Sequence, residues 1–331
     1  MNDCPHTIAL IVPVFNEENN IAPFVAEVEK VLAKFLPHIA IVFIDDGSLD
    51  NTAQKIIELQ QDKSFINLLQ LSRNFGKEAA VSAALDTVEA DAYVIIDVDL
   101  QHPISTVAEF IRLWQTEKID NIYGIRDEKH ISSLWFYHLF NKLSGRIKIP
   151  VNVSDFRLID RRVVQILRTL PERNRFMKGL FAWSGLKSRG VPYIQAERKT
   201  GSTKFNYPKL WNFALDGIMG FSTLPLRVWS YFGGFVALLA FIYMLWIIVK
   251  TLIFGVEVAG YASIIGLILF FGGVQLLSIG ILGEYLGRMQ EEVKHRPVYV
   301  ISKVVGNIKI QNTPQQYGCG VVLDEKEIIT D

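Results

Sequence analysis

Two long stretches without a charged side chain most constrain what this chain of 331 residues can fold into. Residues 228–249 and 258–283 contain no Asp, Glu, Lys, Arg or His, over 22 and 26 residues respectively. A helix of about 20 apolar residues crosses the roughly 30 Å hydrocarbon layer of a bilayer. Two such runs in succession predict two transmembrane helices behind a soluble front half. Buried helices of a soluble core are the alternative.

The charges around these runs predict how the chain sits in a membrane. Residues 1–140 carry 10 Lys/Arg and 21 Asp/Glu, whereas residues 141–210 carry 16 and 4, so a basic segment precedes the first run. Cations in that place meet anionic headgroups or a phosphorylated substrate. Lys and Arg are concentrated outside the short connection between the runs, so the positive-inside rule predicts that both termini are cytoplasmic. We expect an integral protein of the plasma or inner membrane.

The composition of the whole chain argues against two other classes of protein. Lys/Arg and Asp/Glu number 34 each, whereas a general nucleic-acid binder has a basic excess, so no nucleic-acid partner is expected. The two cysteines, Cys4 and Cys319, do not make a disulfide framework and fit a reducing compartment. No basic segment precedes the short apolar run at residues 8–14, so no secretory signal is predicted.

The front half shows the pattern of an α/β fold with a mostly parallel sheet. Continuous apolar runs alternate with stretches of helical spacing, as expected for strands covered on both faces. The predicted strands are residues 8–15, 39–44, 66–71 and 92–98, and the predicted helices are residues 17–35, 52–60, 77–88 and 105–115.

Polar clusters follow three of these strands, where open α/β sheets bind their ligands. The clusters are Asn16-Glu17-Glu18, Asp45-Asp46-Gly47-Ser48 and Asp97-Val98-Asp99. Residues of these types also cap helices and form turns, which is the alternative role for the first two clusters. The chain has neither a P-loop nor a G-x-G-x-x-G motif after a strand, so a metal ion is expected to neutralise any bound diphosphate.

Asp97 and Asp99 predict a site for a divalent cation. Because the two residues are two positions apart at the predicted strand end, both side chains would lie on one face of the sheet, while Val98 enters the core. Paired carboxylates suit Mg²⁺ or Mn²⁺, and the amide oxygen of Gln101 is a further possible ligand. The alternative is that one aspartate caps the turn before Pro103.

Six short motifs in this order resemble the family 2 glycosyltransferases, which have the GT-A fold. Three of them carry the family resemblance: PVFNE at 13–17, DDGS at 45–48 and DVDLQHP at 97–103. Two more narrow it to the polyprenyl-phosphate group, which contains dolichol-phosphate mannose synthase and the bactoprenol glucosyltransferases: SDFRL at 154–158 and R-x-x-G-S-x-K at 198–204. The sixth, GEYLGR at 283–288, and the two apolar runs most resemble the bactoprenol branch of that group. The resemblance runs from about residue 6 to residue 300.

The resemblance implies transfer of one sugar, expected to be glucose from UDP-glucose, to undecaprenyl phosphate with inversion. It implies that the nucleotide sugar is bound by Pro13, Asn16, Glu17, Asp45, Asp46, Asp97 and Arg126. It implies that the metal ion is held by Asp97, Asp99 and Gln101. Asp155 and Asp99 would be catalytic, with Asp155 orienting the acceptor or acting as a base. The acceptor phosphate would be bound by Arg198, Ser202 and Lys204.

These expectations divide the chain into four parts. They are a cytoplasmic GT-A catalytic domain (1–207), an interfacial amphipathic region (208–226), two transmembrane helices (227–284) and a cytoplasmic C-terminal segment (285–331). Glycine pairs in both apolar runs permit close helix packing and a homo-oligomer. Three alternatives are a processive polysaccharide synthase of the same fold, a carrier or channel, and a non-catalytic scaffold. The Q-x-x-R-W motif typical of the processive synthases is missing from this sequence.

Overall fold

The computed structural model describes residues 7–126, 150, 152–173, 175–195, 224–254, 260–308 and 320–322. The strands are β1 (Ile8–Val14), β2 (Ile39–Asp45), β3 (Ile66–Leu71), β4 (Ala92–Ile95), β5 (Asn121–Arg126), β6 (Val153–Asp160), β7 (Ser188–Tyr193), β8 (Tyr299–Val305) and β9 (Gly320–Val322). The helices are α1 (Ile21–Val31), α2 (Thr52–Asp62), α3 (Lys77–Thr87), α4 (Ile104–Glu117), α5 (Arg161–Thr169), α6 (Met177–Trp183), α7 (Leu224–Phe254) and α8 (Tyr261–Val293), with a 3₁₀ turn at Leu36–His38.

The strands form one sheet in the order β7-β5-β6-β4-β1-β2-β3-β8-β9. The central strands β4, β1, β2 and β3 are mutually parallel, which confirms the predicted α/β architecture. On either side the sheet continues with antiparallel pairs, β6 beside β4 and β8 beside β3. These antiparallel additions were not predicted from the sequence.

The continuous apolar strands arise because the sheet is buried on both faces. In β1, Ile8, Leu10 and Val12 belong to a core shared with α1, α2 and α4. Ala9 and Ile11 belong to a second core shared with α3, α5 and α6. Since successive side chains of a strand point to opposite faces, a strand between two helix layers needs apolar residues at every position.

Several element boundaries differ from the prediction by a few residues, among them the end of the first helix at Val31, and two differences have a local reason. The helix expected at residues 17–35 begins only at Ile21, because Glu17 and Asn20 first form a turn in which the backbone N–H of Asn20 donates to the Glu17 carbonyl at 2.9 Å. The strand expected at residues 92–98 ends at Ile95 and is followed by a turn in which Leu100 has φ = 58°. Asp97 and Asp99 therefore lie after the strand, Asp97 directly before that turn and Asp99 within it.

The helices α7 and α8 contain 31 and 33 residues and form an antiparallel pair. The indole N–H of Trp229 on α7 donates to the hydroxyl of Ser278 on α8 at 2.6 Å. Most of the exposed large apolar side chains of the described chain lie on these two helices. Within the described ranges, one segment, Phe270–Val293, is long and apolar enough to cross a membrane, and a shorter apolar stretch occupies Tyr231–Tyr243.

Among the residues that the structure describes, the glycine pairs of the two helices mediate no close contact between them. A Cβ atom placed on Gly233, Gly234, Gly272 or Gly273 meets no described atom within 4 Å apart from the backbone of its own helix. The homo-oligomer inferred from these glycines stays a prediction.

After the helix pair the chain returns to the sheet, and a buried polar cluster holds it there. The hydroxyl of Tyr299 on β8 donates to a carboxylate oxygen of Asp86 on α3 at 3.2 Å. Arg175 also contacts Asp86, with its Nη1 atom 3.5 Å from both carboxylate oxygens. All three residues are buried. This cluster joins the strand that follows the long helices to the helix layer beneath the sheet.

We predict that Asp86→Ala destabilises the protein by about 3–5 kcal/mol, because it leaves the buried guanidinium of Arg175 without this carboxylate. Tyr299→Phe removes one hydrogen bond and should lower stability by only about 1 kcal/mol. The melting temperature of the purified chain measures both effects, with the exposed Asp62→Ala as control. An Asp86→Ala variant that melts like the control would contradict a stabilising role for the cluster.

Candidate functional site

A cleft of about 320 Å³ lies beyond the carboxyl ends of β1, β2 and β4. The chain passes from β1 to β2 and β3 on one side and then adds β4 on the other side of β1. Open α/β sheets bind ligands at such a reversal of strand order. The cleft is lined by Pro13, Val14, Phe15, Glu17, Asp46, Asn74, Gly76, Lys77, Asp97, Val98 and Asp99.

Asp97 and Asp99 both line this cleft, although the geometry that brings them there differs from the prediction. Val98 between them is buried in the core, as expected. The backbone N–H of Gln101 donates to Asp99 at 3.1 Å, so Asp99 also caps the turn, and the alternative role proposed for this motif is part of the structure. A turn thus directs both carboxylates to the same cleft without placing them on one strand face.

Lys77 is the cation that faces Asp97. It is the first residue of α3, directly after Gly76, which has φ = 98°. Its ammonium donates to one carboxylate oxygen of Asp97, and Nε2 of His102 lies 3.6 Å from the other. The Lys77 and Asp97 side chains are 42% and 31% exposed, so an ion entering the cleft has access to the pair.

This environment strongly favours the ionised form of Asp97. Burial by itself raises the pKa of Asp97, but the Lys77 ammonium and the His102 ring outweigh burial and hold this pKa well below its usual range. Asp97 is therefore a carboxylate at every physiological pH and is available as a hard oxygen ligand.

Asp46 fixes the loop that carries Lys77. Its carboxylate accepts hydrogen bonds from the backbone N–H groups of Phe75 at 2.7 Å and Gly76 at 2.9 Å. The next residue, Gly47, has φ = 70°, and a Cβ atom there would lie 2.5 Å from the carbonyl carbon of Arg73. Only glycine permits this close approach, which places residues 73–76 against the end of β2.

Asn16 and Asp45 support the rim of the cleft. Asn16, with φ = 55°, donates its backbone N–H to the Ser48 hydroxyl at 2.9 Å and accepts from the backbone of Leu49 at 2.8 Å. Asp45 is fully buried and accepts from the backbone of Ser48 at 3.0 Å and from the side chain of Gln70 at 3.1 Å. Neither residue lines the cleft. Their described contacts join the loops after β1 and β2.

A second charged cluster lies beside the cleft around Asp155 on β6. The ammonium of Lys178 on α6 is 3.5 Å from the Asp155 carboxylate. Burial, together with the nearby charge of Asp155, raises the pKa of Glu78 on α3 to about 8. Lys77, the neighbour of Glu78, also interacts electrostatically with Asp155. The cluster therefore connects Asp155 to the residues that face Asp97.

Arg126 ends β5 close to both groups of carboxylates. Its positive charge acts on Asp155 and Asp97. Among the residues that the structure describes, the buried Nε of Arg126 has no hydrogen-bond partner, and the hydroxyl of Tyr193 lies beside the guanidinium group. A buried guanidinium nitrogen without a partner is costly unless a ligand supplies an acceptor.

Comparison with known proteins identifies the family. Residues 9–167 match the Glycosyl transferase family 2 model, and residues 224–289 match the GtrB C-terminal hairpin model. The SfII prophage-derived bactoprenol glucosyl transferase of Shigella flexneri is 48% identical over 89% of this chain and 97% of its own length. The chain belongs to glycosyl transferase family 2.

Two further relatives extend over similar lengths of this glycosyltransferase. The prophage bactoprenol glucosyl transferase homolog of Escherichia coli K12 is 47% identical over 90% of this chain and 99% of its own length. An uncharacterized glycosyltransferase of Synechocystis is 44% identical over 90% of this chain and 96% of its own length. The relatives therefore match both the catalytic part and the helix pair.

The fold of the glycosyltransferase brings together part of the predicted site. Five of the predicted residues line the cleft: Pro13, Glu17, Asp46, Asp97 and Asp99. Asn16, Asp45, Gln101, Arg126 and Asp155 lie outside the lining. The amide oxygen of Gln101 accepts from the side chain of Gln195. Arg198, Ser202 and Lys204 lie outside the described residues, as does the region 208–223 expected at the membrane interface.

Sequence reasoning missed the cations that face the carboxylates. Lys77 and Lys178 lie far in sequence from Asp97 and Asp155 and belong to no motif that we had identified. One signal for Lys77 was present, since a lysine at the first position of a helix opposes the helix dipole and suggests another role there. Lys178, near the start of α6, has the same signal.

We predict that Glu78→Gln stabilises the protein in a pH-dependent way. The pKa of this carboxyl group rises from 4.5 to about 8 on folding, because ionisation is less favourable in the folded state. The group therefore lowers the free energy of unfolding as pH rises through that window. The melting temperature of Glu78→Gln should equal that of the unmodified chain near pH 4.5 and exceed it increasingly up to about pH 8. The exposed Glu109→Gln is the control. A difference that is constant across this range would contradict the assignment.

Proposed function

We propose that this glycosyltransferase transfers glucose from UDP-glucose to a polyprenyl phosphate, in a reaction that depends on Mg²⁺ or Mn²⁺. The observation that carries the proposal is the pair Asp97 and Asp99 in a cleft at the strand reversal, in a chain related over its length to bactoprenol glucosyl transferases. Undecaprenyl phosphate is the acceptor that we infer, and it brings the reaction to the membrane surface.

The residues of the cleft fit a divalent cation whose remaining ligands come from the substrate. Among the described residues, no three His, Cys, Asp or Glu side chains form a cluster able to hold a metal ion. Mg²⁺ is commonly bound by one or two carboxylates together with substrate phosphates and water. Asp97 and Asp99 would supply the two carboxylates, and Gln101 would join them only after separating from Gln195. A bound cation would stabilise the negative charge that develops on the departing UDP.

The nucleotide sugar is proposed to lie between the loops after β1, β2 and β4. Pro13, Glu17 and Asp46 form the part of the wall that would meet the nucleotide, with Asn16 and Asp45 supporting it from behind. Arg126, whose buried Nε has no partner in the described chain, is positioned to contact a phosphate. The Lys77 ammonium would leave Asp97 and pair with the diphosphate.

The acceptor requires docking more than deprotonation. A phosphate monoester has its second pKa near about 6, so its oxygens are already nucleophilic at neutral pH. Asp155, which Lys178 contacts, is proposed to orient the acceptor and to stabilise the positive charge on the sugar carbon. Inversion follows from attack on the face opposite the leaving UDP. Arg198, Ser202 and Lys204 are proposed to bind the acceptor phosphate.

We place the protein in the membrane through α7 and α8, with the catalytic domain and both termini in the cytoplasm. The exposed apolar surface of the two helices and the segment Phe270–Val293 support this placement. The basic segment ahead of α7 would face the anionic leaflet. Region 208–226 is proposed to lie at the interface, and the helix pair is the proposed surface for a homo-oligomer.

The test is transfer of labelled glucose from UDP-glucose into an extractable lipid by the purified full chain with undecaprenyl phosphate. We expect Asp99→Asn to lower the rate by on the order of 10²–10³-fold, the size of losing one stabiliser of developing charge. EDTA should abolish transfer and added Mn²⁺ should restore it. The matched control is Asp62→Asn, an exposed aspartate at the end of α2.

The donor panel separates the parts of this proposal. Label from a different nucleotide sugar, with none from UDP-glucose, would correct the sugar alone. Undiminished transfer in EDTA and in Asp99→Asn would refute the metal site. No transfer from any donor by folded protein would refute the enzyme.

We predict that Lys77→Met increases the affinity of the donor-free protein for Mn²⁺ several-fold, because it removes a cation that occupies Asp97. The same change should weaken binding of UDP in the presence of Mn²⁺. Free Mn²⁺ is measured by its electron paramagnetic resonance signal, with the exposed Lys34→Met as control. Unchanged or weaker Mn²⁺ binding would show that Lys77 does not compete for this carboxylate.

A further inference from the structure

A second cleft, of about 710 Å³, lies where the end of α8 meets the catalytic domain. The loop that follows β3 forms one wall, the chain after α5 forms another, and the chain that leaves α8 forms the third. Asn74 and Gly76 line both this cleft and the donor cleft. We call it the basic cleft, because Arg73, Arg173, Lys294 and Arg296 line it.

The charge of the basic cleft selects an anion. Among the described residues, four cationic side chains line it and one carboxylate, Glu291, opposes them. Lys294 and Arg296 are exposed and have no role in the proposed transfer reaction. Clustered cations beside a bilayer attract phosphate-bearing headgroups, and guanidinium groups bind phosphate oxygens in a fixed geometry.

Contacts with the catalytic domain hold this part of the chain in place. The backbone N–H of Arg173 lies 3.1 Å from both carboxylate oxygens of Glu292, and its guanidinium Nη1 donates to the carbonyl of Arg296. Its Nε is buried and has no hydrogen-bond partner in the described part of the chain. The guanidinium of Arg73 is stacked over the Phe75 ring at 4.1 Å. Arg73 and Arg173 are thus anchored at the cleft, and one buried donor of Arg173 remains for a ligand.

The position of the cleft indicates a lipid as the source of that anion. Glu291 belongs to the last turn of Phe270–Val293, the segment able to cross a membrane, and Lys294 follows that segment directly. Leu286, Met289 and Val293 present exposed apolar side chains on the same part of α8. A phospholipid with its phosphate at the cleft would therefore have apolar helix surface beside it for its acyl chains.

We propose that the basic cleft binds the headgroup of an anionic phospholipid of the surrounding leaflet, at a site separate from the donor and the acceptor. The lipid would contact the loop of residues 74–76, which Asp46 holds in place and which leads into Lys77. Lipid binding would therefore also stabilise one wall of the donor cleft. The proposal rests on the membrane placement proposed above and does not depend on glycosyl transfer.

The test measures melting temperature of the full chain in a neutral detergent against dioctanoyl phosphatidylglycerol, dioctanoyl phosphatidylcholine and inorganic phosphate. We expect saturable stabilisation by phosphatidylglycerol alone. In Lys294→Gln/Arg296→Gln the half-saturating concentration should rise roughly tenfold to thirtyfold, as expected for the loss of two interfacial charges. The control Lys30→Gln/Lys34→Gln removes the same charge from two exposed lysines, one on α1 and one just after it, and should leave that concentration unchanged.

Each contrary outcome refutes the proposal in a different way. Equal stabilisation by phosphatidylcholine or by inorganic phosphate would show that the cleft does not select an anionic lipid. Competition by geranyl phosphate at the same concentration as phosphatidylglycerol would assign the cleft to the acceptor. A third contrary outcome is that Lys294→Gln/Arg296→Gln melts like the unmodified chain in the absence of lipid and still responds to phosphatidylglycerol at the same concentration. That result would show that the lipid binds elsewhere. The readout involves no donor, so failed glucose transfer would leave this result standing.

Discussion

Both clefts depend on the way the Asp46 carboxylate holds residues 75 and 76. Two backbone N–H groups donate to this one side chain, and Gly47 lets the backbone at Arg73 approach closely. The loop so fixed ends in Lys77, whose ammonium reaches Asp97, and its other side forms a wall of the basic cleft. A charged group buried against backbone donors defines a position more sharply than apolar packing does, because a displaced carboxylate would lose its compensating hydrogen bonds. The two neighbouring sites are therefore expected to respond together to any shift of this loop.

The parts of the structure that the sequence predicted are those set by local pattern. The apolar runs at β1, β2 and β3 predicted the parallel centre of the sheet, and the acidic residues that follow β1, β2 and β4 predicted where the cleft lies. The prediction was wrong about how Asp97 and Asp99 come together, since the strand ends at Ile95 and a turn with a left-handed Leu100 takes over. Strand periodicity cannot anticipate a turn whose geometry depends on a capping aspartate. The conclusion that both carboxylates share a cleft was nevertheless correct.

The remaining features depend on contacts between residues far apart in the chain. Tyr299 meets Asp86 across 213 positions, and Lys77 meets Asp97 across 20, without a motif that links the members of either pair. The return of the chain into β8 matters for the membrane placement as well, because it packs the residues after α8 into the core that α3 covers. The helix pair is thus joined to the catalytic domain through β8, which lies between β3 and β9, and through a buried polar cluster, and not through its point of entry alone. Such a connection keeps the cleft in a defined place relative to the proposed bilayer surface.

The most direct test of this account is the location of Mn²⁺ in crystals of the full chain grown with UDP, read from anomalous scattering. The account predicts one anomalous peak in the cleft of about 320 Å³, within coordination distance of Asp97 and Asp99, with the Lys77 ammonium moved from Asp97 to the diphosphate. A peak that does not touch these two carboxylates, or a Lys77 that stays paired with Asp97 beside bound Mn²⁺, would contradict it.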